Sequence, residues 1–129
     1  MQEKKKHTTY WGTIKRLYQE RKLATASALV SKNIVKYGYP LQSDLLYLAA
    51  RIYRQTGEWE SALQCWEQFF SVDPENYSKL DALNEMALCF SKSHQYEAAE
   101  RIFDQLLLAS PRDKLALFGK SQVQVTLLE

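Results

Sequence analysis

Glycine and proline are scarce in this 129-residue chain, at four and three. That is too few to turn a chain of many short strands, but enough to punctuate long helices. The only two cysteines, Cys65 and Cys89, supply no disulfide framework, and neither has histidines at metal-ligand spacing. Both lie in amphipathic stretches, so buried free thiols are expected. Charge of one sign is lacking too: 17 basic against 15 acidic residues leave a net +2, a field too weak to recruit nucleic acid or an anionic membrane by itself. What the chain does have is 46% hydrophobic and 25% charged residues, the composition of a folded protein rather than a disordered one. Its length is that of a single domain. An all-α fold is expected.

Residues 1–7 include Lys4, Lys5 and Lys6 with no apolar run behind them, so no secretory signal or membrane anchor is read there. A disordered basic tail is expected for 1–7. A soluble intracellular, cytoplasmic protein with no transmembrane segment follows as the expectation for localisation.

The rest of the chain repeats itself. With Pro74 set over Pro111, Leu46 falls over Leu83, Ala49 over Met86, Ala50 over Ala87 and Tyr53 over Phe90. Agreement continues with Trp59 over Tyr96, Ala62 over Ala99, Trp66 over Phe103 and Phe69 over Leu106. The alanines let paired helices approach closely, and the large residues fill the gaps between them. Gly57, after Gln55 and Thr56, suits a left-handed helix end. His94 holds the same place in the next copy, which implies a histidine at positive φ or a different turn. Asp73 and Ser110 are competent N-caps, and Pro74 and Pro111 after them suit the first turn of a new helix.

This order of large, small and aromatic positions closed by proline resembles the tetratricopeptide repeat. The resemblance implies a right-handed superhelical array of antiparallel helix pairs: about three repeats and a terminal helix, in one domain over 8–129. Residues 43–76 and 80–113 are the regular repeats, with Tyr77, Ser78 and Lys79 as the extra residues between them. Residues 8–41 form a degenerate first repeat carrying Trp11, Ile14, Leu17 and Tyr18, then Leu23, Ala26, Val30, Ile34 and Tyr37 at helical spacing. There Lys15 replaces the small residue, Asn33 stands at an apolar position, and the turn at Arg21 and Lys22 reads one residue short. Gly38, Tyr39 and Pro40 end its second helix. Residues 114–129 are a last helix, unusually apolar toward its end at Val125, Leu127 and Leu128; a partner, a second copy or further repeats would cover it.

Catalytic constellations are missing from the pattern. The glycines are isolated, so no phosphate-cradling loop forms. His7 and His94 are far apart, and the glutamates Glu58, Glu60, Glu67, Glu97 and Glu100 fall between apolar stripe positions, as solvated helix faces do. No enzyme activity, cofactor, metal or small-molecule substrate is expected. The aromatics Trp11, Tyr18, Tyr53, Trp59, Trp66, Phe90, Tyr96 and Phe103 occupy repeat core positions, which leaves little for base stacking and no nucleic-acid role.

The resemblance also implies where a ligand would lie: on the first helix of each pair, at positions facing away from its mate. That face carries Arg16 and Gln19, then Asp44, Tyr47, Arg51 and Arg54, then Asp81, Asn84, Leu88 and Ser91, and finally Leu115, Phe118, Gln122 and Val125. It is basic at one end, where guanidinium groups suit an acidic ligand, and apolar at the other. Asn84 alone does not make the lysine and asparagine set with which some family members clamp a terminal carboxylate. The function expected is a non-catalytic scaffold or adapter binding a peptide or protein segment, in this groove or through the apolar terminal helix. A small secretion or assembly chaperone and a structural homo-oligomer, a homodimer through that helix, are the alternatives.

Overall fold

The structure, a computed structural model, describes the backbone of residues 2–72 and 79–129, with side chains from Tyr10 onward within those ranges. The described residues are helical throughout, in seven helices joined by short turns. The chain divides at residues 73 and 74 into two compact units.

The first unit holds α1 (Gln2–Gln19), α2 (Leu23–Tyr37), α3 (Ser43–Gln55) and α4 (Trp59–Ser71). Helix α1 packs on α2 and α3 on α4, with α2 and α1 also touching α3. The backbone from Gln2 continues α1, in contrast to the disordered tail expected for 1–7; lysine, glutamine and glutamate are good helix formers and here extend a helix already nucleated. In α3, Leu45, Leu46, Ala49, Ala50, Ile52 and Tyr53 are buried, a stripe broad enough to meet helices on two sides. The alanines keep the backbones close, and Trp66 and Phe69 of α4 fill the interior, edge-on to one another at 5.4 Å between ring centres. Cys65 is buried among them as a free thiol.

The second unit holds α5 (Lys79–Lys92), α6 (Tyr96–Ala109) and α7 (Lys114–Leu128), with α6 packed on both α5 and α7. One buried cluster in it comprises Ala87, Ala99, Phe103, Leu106, Ala116 and Val123, and Ala82 and Cys89 of α5 are buried as well. Gly119 lies against the Phe103 ring so closely that a Cβ there would fall 2.3 Å from its Cζ.

One turn recurs three times. Arg21, Gly57 and His94 all have positive φ, at 63°, 78° and 65°. After each, the next amide reaches back five residues: Lys22 to Leu17 O at 2.9 Å, Glu58 to Tyr53 O at 2.8 Å, and Gln95 to Phe90 O at 2.8 Å. This left-handed cap satisfies carbonyls that a helix end would otherwise leave open. It also corrects the reading of the first repeat. Arg21 precedes Gly57 by one residue less than Gly57 precedes His94, so Ile14, not Lys15, occupies the place of Ala50 and Ala87, and Ile14 is fully buried. The turn is not short.

A second correction concerns Ser110 and Pro111, expected to cap and open the last helix. Pro111 and Arg112 form a turn instead, and Asp113 is the N-cap, its Oδ1 accepting from the amides of Leu115 at 3.0 Å and Ala116 at 3.2 Å. A carboxylate there meets two unpaired N–H groups and the positive end of the helix dipole, which a serine three residues earlier cannot reach. The corresponding Asp73 and Pro74 lie outside the described residues, as do Tyr77 and Ser78.

Candidate functional site

The recurring turns fix the register of α1, α3 and α5, and the spacing of buried residues extends it to α7. Leu45 and Ile52 in α3, Ala82 and Cys89 in α5, and Ala116 and Val123 in α7 are three buried pairs with the same spacing. The same register sets Asp44, Tyr47, Arg51 and Arg54 of α3 over Asp81, Asn84, Leu88 and Ser91 of α5, and over Leu115, Phe118, Gln122 and Val125 of α7. In α1 the place of Arg51 falls to Lys15. Arg16 takes that of Ile52, and it is exposed.

In the first unit, Arg51 shares a cleft of about 370 Å3 with Tyr18, Gln19, Arg21 and Gln55. The Gln55 amide donates to the Tyr18 hydroxyl at 3.3 Å, joining the ends of α1 and α3. Tyr47 is tied inward: its ring lies edge-on to Trp66 at 5.3 Å and tilted against Phe69 at 5.9 Å. The Arg51 guanidinium lies 5.8 Å from the Tyr47 ring centre, within range of the ring's negative face. Arg54 is half-buried and Asp44 exposed. Tyr18 and Arg21 were missed as lining residues; the signal for them was the turn, which projects its residues beside the ends of the first helices.

Two groups behind this face titrate far from their ordinary values. Burial pushes the Cys65 thiol up to about 12. Burial likewise pushes the Tyr53 hydroxyl up to about 12 against the opposing effect of its 2.7 Å hydrogen bond with Ser31. Both are neutral core groups rather than reactive ones.

In the second unit the structure brings Phe118, Gln122 and Val125 together. With Ser91 of α5 and Lys92, His94 and Tyr96 at the turn they line a cleft of about 570 Å3. Leu115, Phe118 and Val125 are 68%, 64% and 58% exposed, a high figure for a stripe of this size on one helix. Leu88 packs against the core and Asn84 is half-buried, so neither stands as open as α7. The side of α7 equivalent to the mate-facing sides of α3 and α5 carries Leu117, Lys120, Ser121 and Gln124, and Lys120 pairs with Asp104 of α6 at 2.6 Å. The apolar stripe is thus on the outward face. Among the described residues no helix is long and apolar enough to cross a membrane, and no cluster of histidine, cysteine, aspartate or glutamate could hold a metal ion.

Paired helices, small residues at their contacts and one turn repeated at near-constant spacing point to a single family, and the family model described as tetratricopeptide repeat matches residues 45–69. The chain is a tetratricopeptide repeat protein. Similar proteins agree. ER membrane protein complex subunit 2 of Saccharomyces cerevisiae is 31% identical over 117 residues, which cover 88% of this chain and 38% of that protein. The chain thus spans well under half the length of this curated relative. Among solved structures, the first TPR of Spaghetti (RPAP3), bound to the HSP90 peptide SRMEEVD, aligns with a TM-score of 0.70 at 14% identity, covering 97% of this chain and 95% of that one. The second TPR domain of human RPAP3, in complex with the HSP70 peptide SGPTIEEVD, gives 0.68 at 18%, covering 95% and 98%. At such identities the likeness is one of fold. The chain thus has the fold of tetratricopeptide repeat domains, built from sequential pairs of helices.

Proposed function

We propose that this protein is a non-catalytic interaction module that holds a segment of another protein on its first-helix faces. The observation that carries the reading is the outward stripe of α7, where Leu115, Phe118 and Val125 are each more than half exposed at places that α3 fills with Asp44, Tyr47 and Arg54. Apolar surface of this kind gains free energy only when something covers it. Two solved neighbours hold peptides, which supports a segment as the ligand. Similarity to a subunit of a membrane protein complex favours, within the same reading, a constitutive place in a multiprotein assembly over a transient chaperone cycle. Such a subunit needs no membrane span of its own.

Affinity capture with the full chain tests the proposal. Arg51→Glu together with Phe118→Asp should abolish recovery of a partner that the wild type retains, while Lys32→Glu with Gln105→Asp, both on exposed parts of second helices, should leave it unchanged. The reverse pattern would place the interface on the second helices and refute the assignment.

A further inference from the structure

We infer that the cleft between α5 and α7 receives an apolar side chain flanked by a carboxylate, both from within a partner's polypeptide segment rather than from its terminus. This rests on the binding-face reading and names the ligand class. Phe118 and Val125 supply the apolar floor. They are two turns apart on one face of α7, and the cleft they line, about 570 Å3, is wider than a leucine or methionine side chain needs.

The rim gives the second half of the specificity. Lys92, in the last turn of α5, is exposed and forms no ion pair among the described residues. The lining contains no carboxylate that would neutralise it. Beside it His94 is fixed twice, by its left-handed backbone and by a 2.7 Å hydrogen bond between its Nδ1 and the Tyr96 hydroxyl. That bond leaves Nε2 as the ring's remaining polar atom. The exposed Lys92 ammonium beside an apolar floor, with no carboxylate in the lining, favours a carboxylate adjacent to the buried side chain and disfavours a cation there.

The probe is a pool of peptides with blocked ends, Leu-Glu fixed at the centre and Ala, Gly and Ser elsewhere, titrated into the full chain by fluorescence anisotropy. Matched pools carry Leu-Lys or Ala-Glu, and a fourth keeps Leu-Glu but ends in a free carboxylate. The Leu-Glu pool should bind about threefold tighter than Leu-Lys and about tenfold tighter than Ala-Glu, with or without the free terminus. Lys92→Glu, at an exposed helix end where folding is undisturbed, should reverse the Leu-Glu over Leu-Lys preference. Phe118→Ser should bring Leu-Glu down to the level of Ala-Glu, with an unchanged circular dichroism spectrum. An order untouched by Lys92→Glu, binding that requires the free terminus, or no binding of the Leu-Glu pool would overturn the inference. If partner capture still depends on Phe118 in that event, the ligand class is wrong and the binding face stands; if capture fails as well, both fall.

Discussion

The two units use the same turn and the same alternation of small and large residues, yet they treat their aromatic and apolar side chains differently. In the first, Trp66 and Phe69 are fully buried, and even the first-helix residue Tyr47 is drawn against them. Besides Tyr47, the exposed and half-buried residues on the outward first-helix face of α3 are Asp44, Arg51 and Arg54, polar and partly cationic. In the second, the interior is closed by close approach, Gly119 against Phe103, and α7 leaves its larger residues outside. A helix that packs through alanine, glycine and one valine can present leucine and phenylalanine to a partner without weakening its own seat. The first unit thus buries the large aromatic residues Trp66 and Phe69, while α7 of the second leaves Leu115, Phe118 and Val125 exposed.

The largest expected effect breaks the first unit's half of that contrast. Trp66→Ala removes its largest fully buried side chain and should cost about 3–5 kcal/mol in chemical denaturation. Phe118→Ala, exposed in the second unit, should change stability by less than about 0.5 kcal/mol. Next in size is a pH effect. In the folded state Cys65 and Tyr53 hold their protons up to about pH 12, against ordinary values of 9.0 and 10.0. The folded chain therefore binds more protons than the unfolded one between those limits. The stabilisation is complete below about pH 9 and is lost as pH rises toward 12, by at most about 1.4 kcal/mol per pH unit for the thiol. Denaturation midpoints measured across that window should fall, and Cys65→Ala should flatten the fall.

The glycines sharpen the comparison through a change of sign. Gly119→Ala forces a methyl group into the Phe103 ring and should destabilise by about 1–3 kcal/mol despite alanine's better helix propensity. Gly12→Ala, in α1 with open space around it, should stabilise by about 0.5–1 kcal/mol for that same propensity. Equal signs at the two sites would remove the close-approach argument. Asp113→Ala, which deletes the cap of α7, should cost about 1 kcal/mol in thermal unfolding, with Asp113→Asn nearly neutral.

Much of this was legible in the sequence. Ala50, Ala62, Ala87 and Ala99 marked the helix contacts because only small residues fit there, and all four are fully buried. Gly57 and the departure at His94 marked the same left-handed turn. Arg21 hid the third copy, since an arginine carries no sign of positive φ, and the first-helix register slipped from Lys15 to Arg16 as a result. Asn33, expected to be out of place, is buried with 1% exposure at the position of Phe69, and its amide atoms have no hydrogen-bond partner among the described residues. Nothing in the structure explains why a buried amide stands there. Of the residues lining the α5–α7 cleft, Phe118, Gln122 and Val125 stood on the face that the family resemblance implied. Lys92, His94 and Tyr96 did not, because they converge through the turn between α5 and α6 rather than along one helix.

The central claim is that the outward stripe of α7 is a contact surface. Replacing single residues of the full chain with a photoreactive phenylalanine analogue, at Phe118 and in parallel at the still more exposed Val35 of α2, tests it directly. After irradiation with partner proteins present, the account predicts a discrete cross-linked product from Phe118, mapping by mass spectrometry to a segment in which an apolar residue neighbours an acidic one, and none from Val35. Cross-linking from Val35 with a silent Phe118 would contradict it.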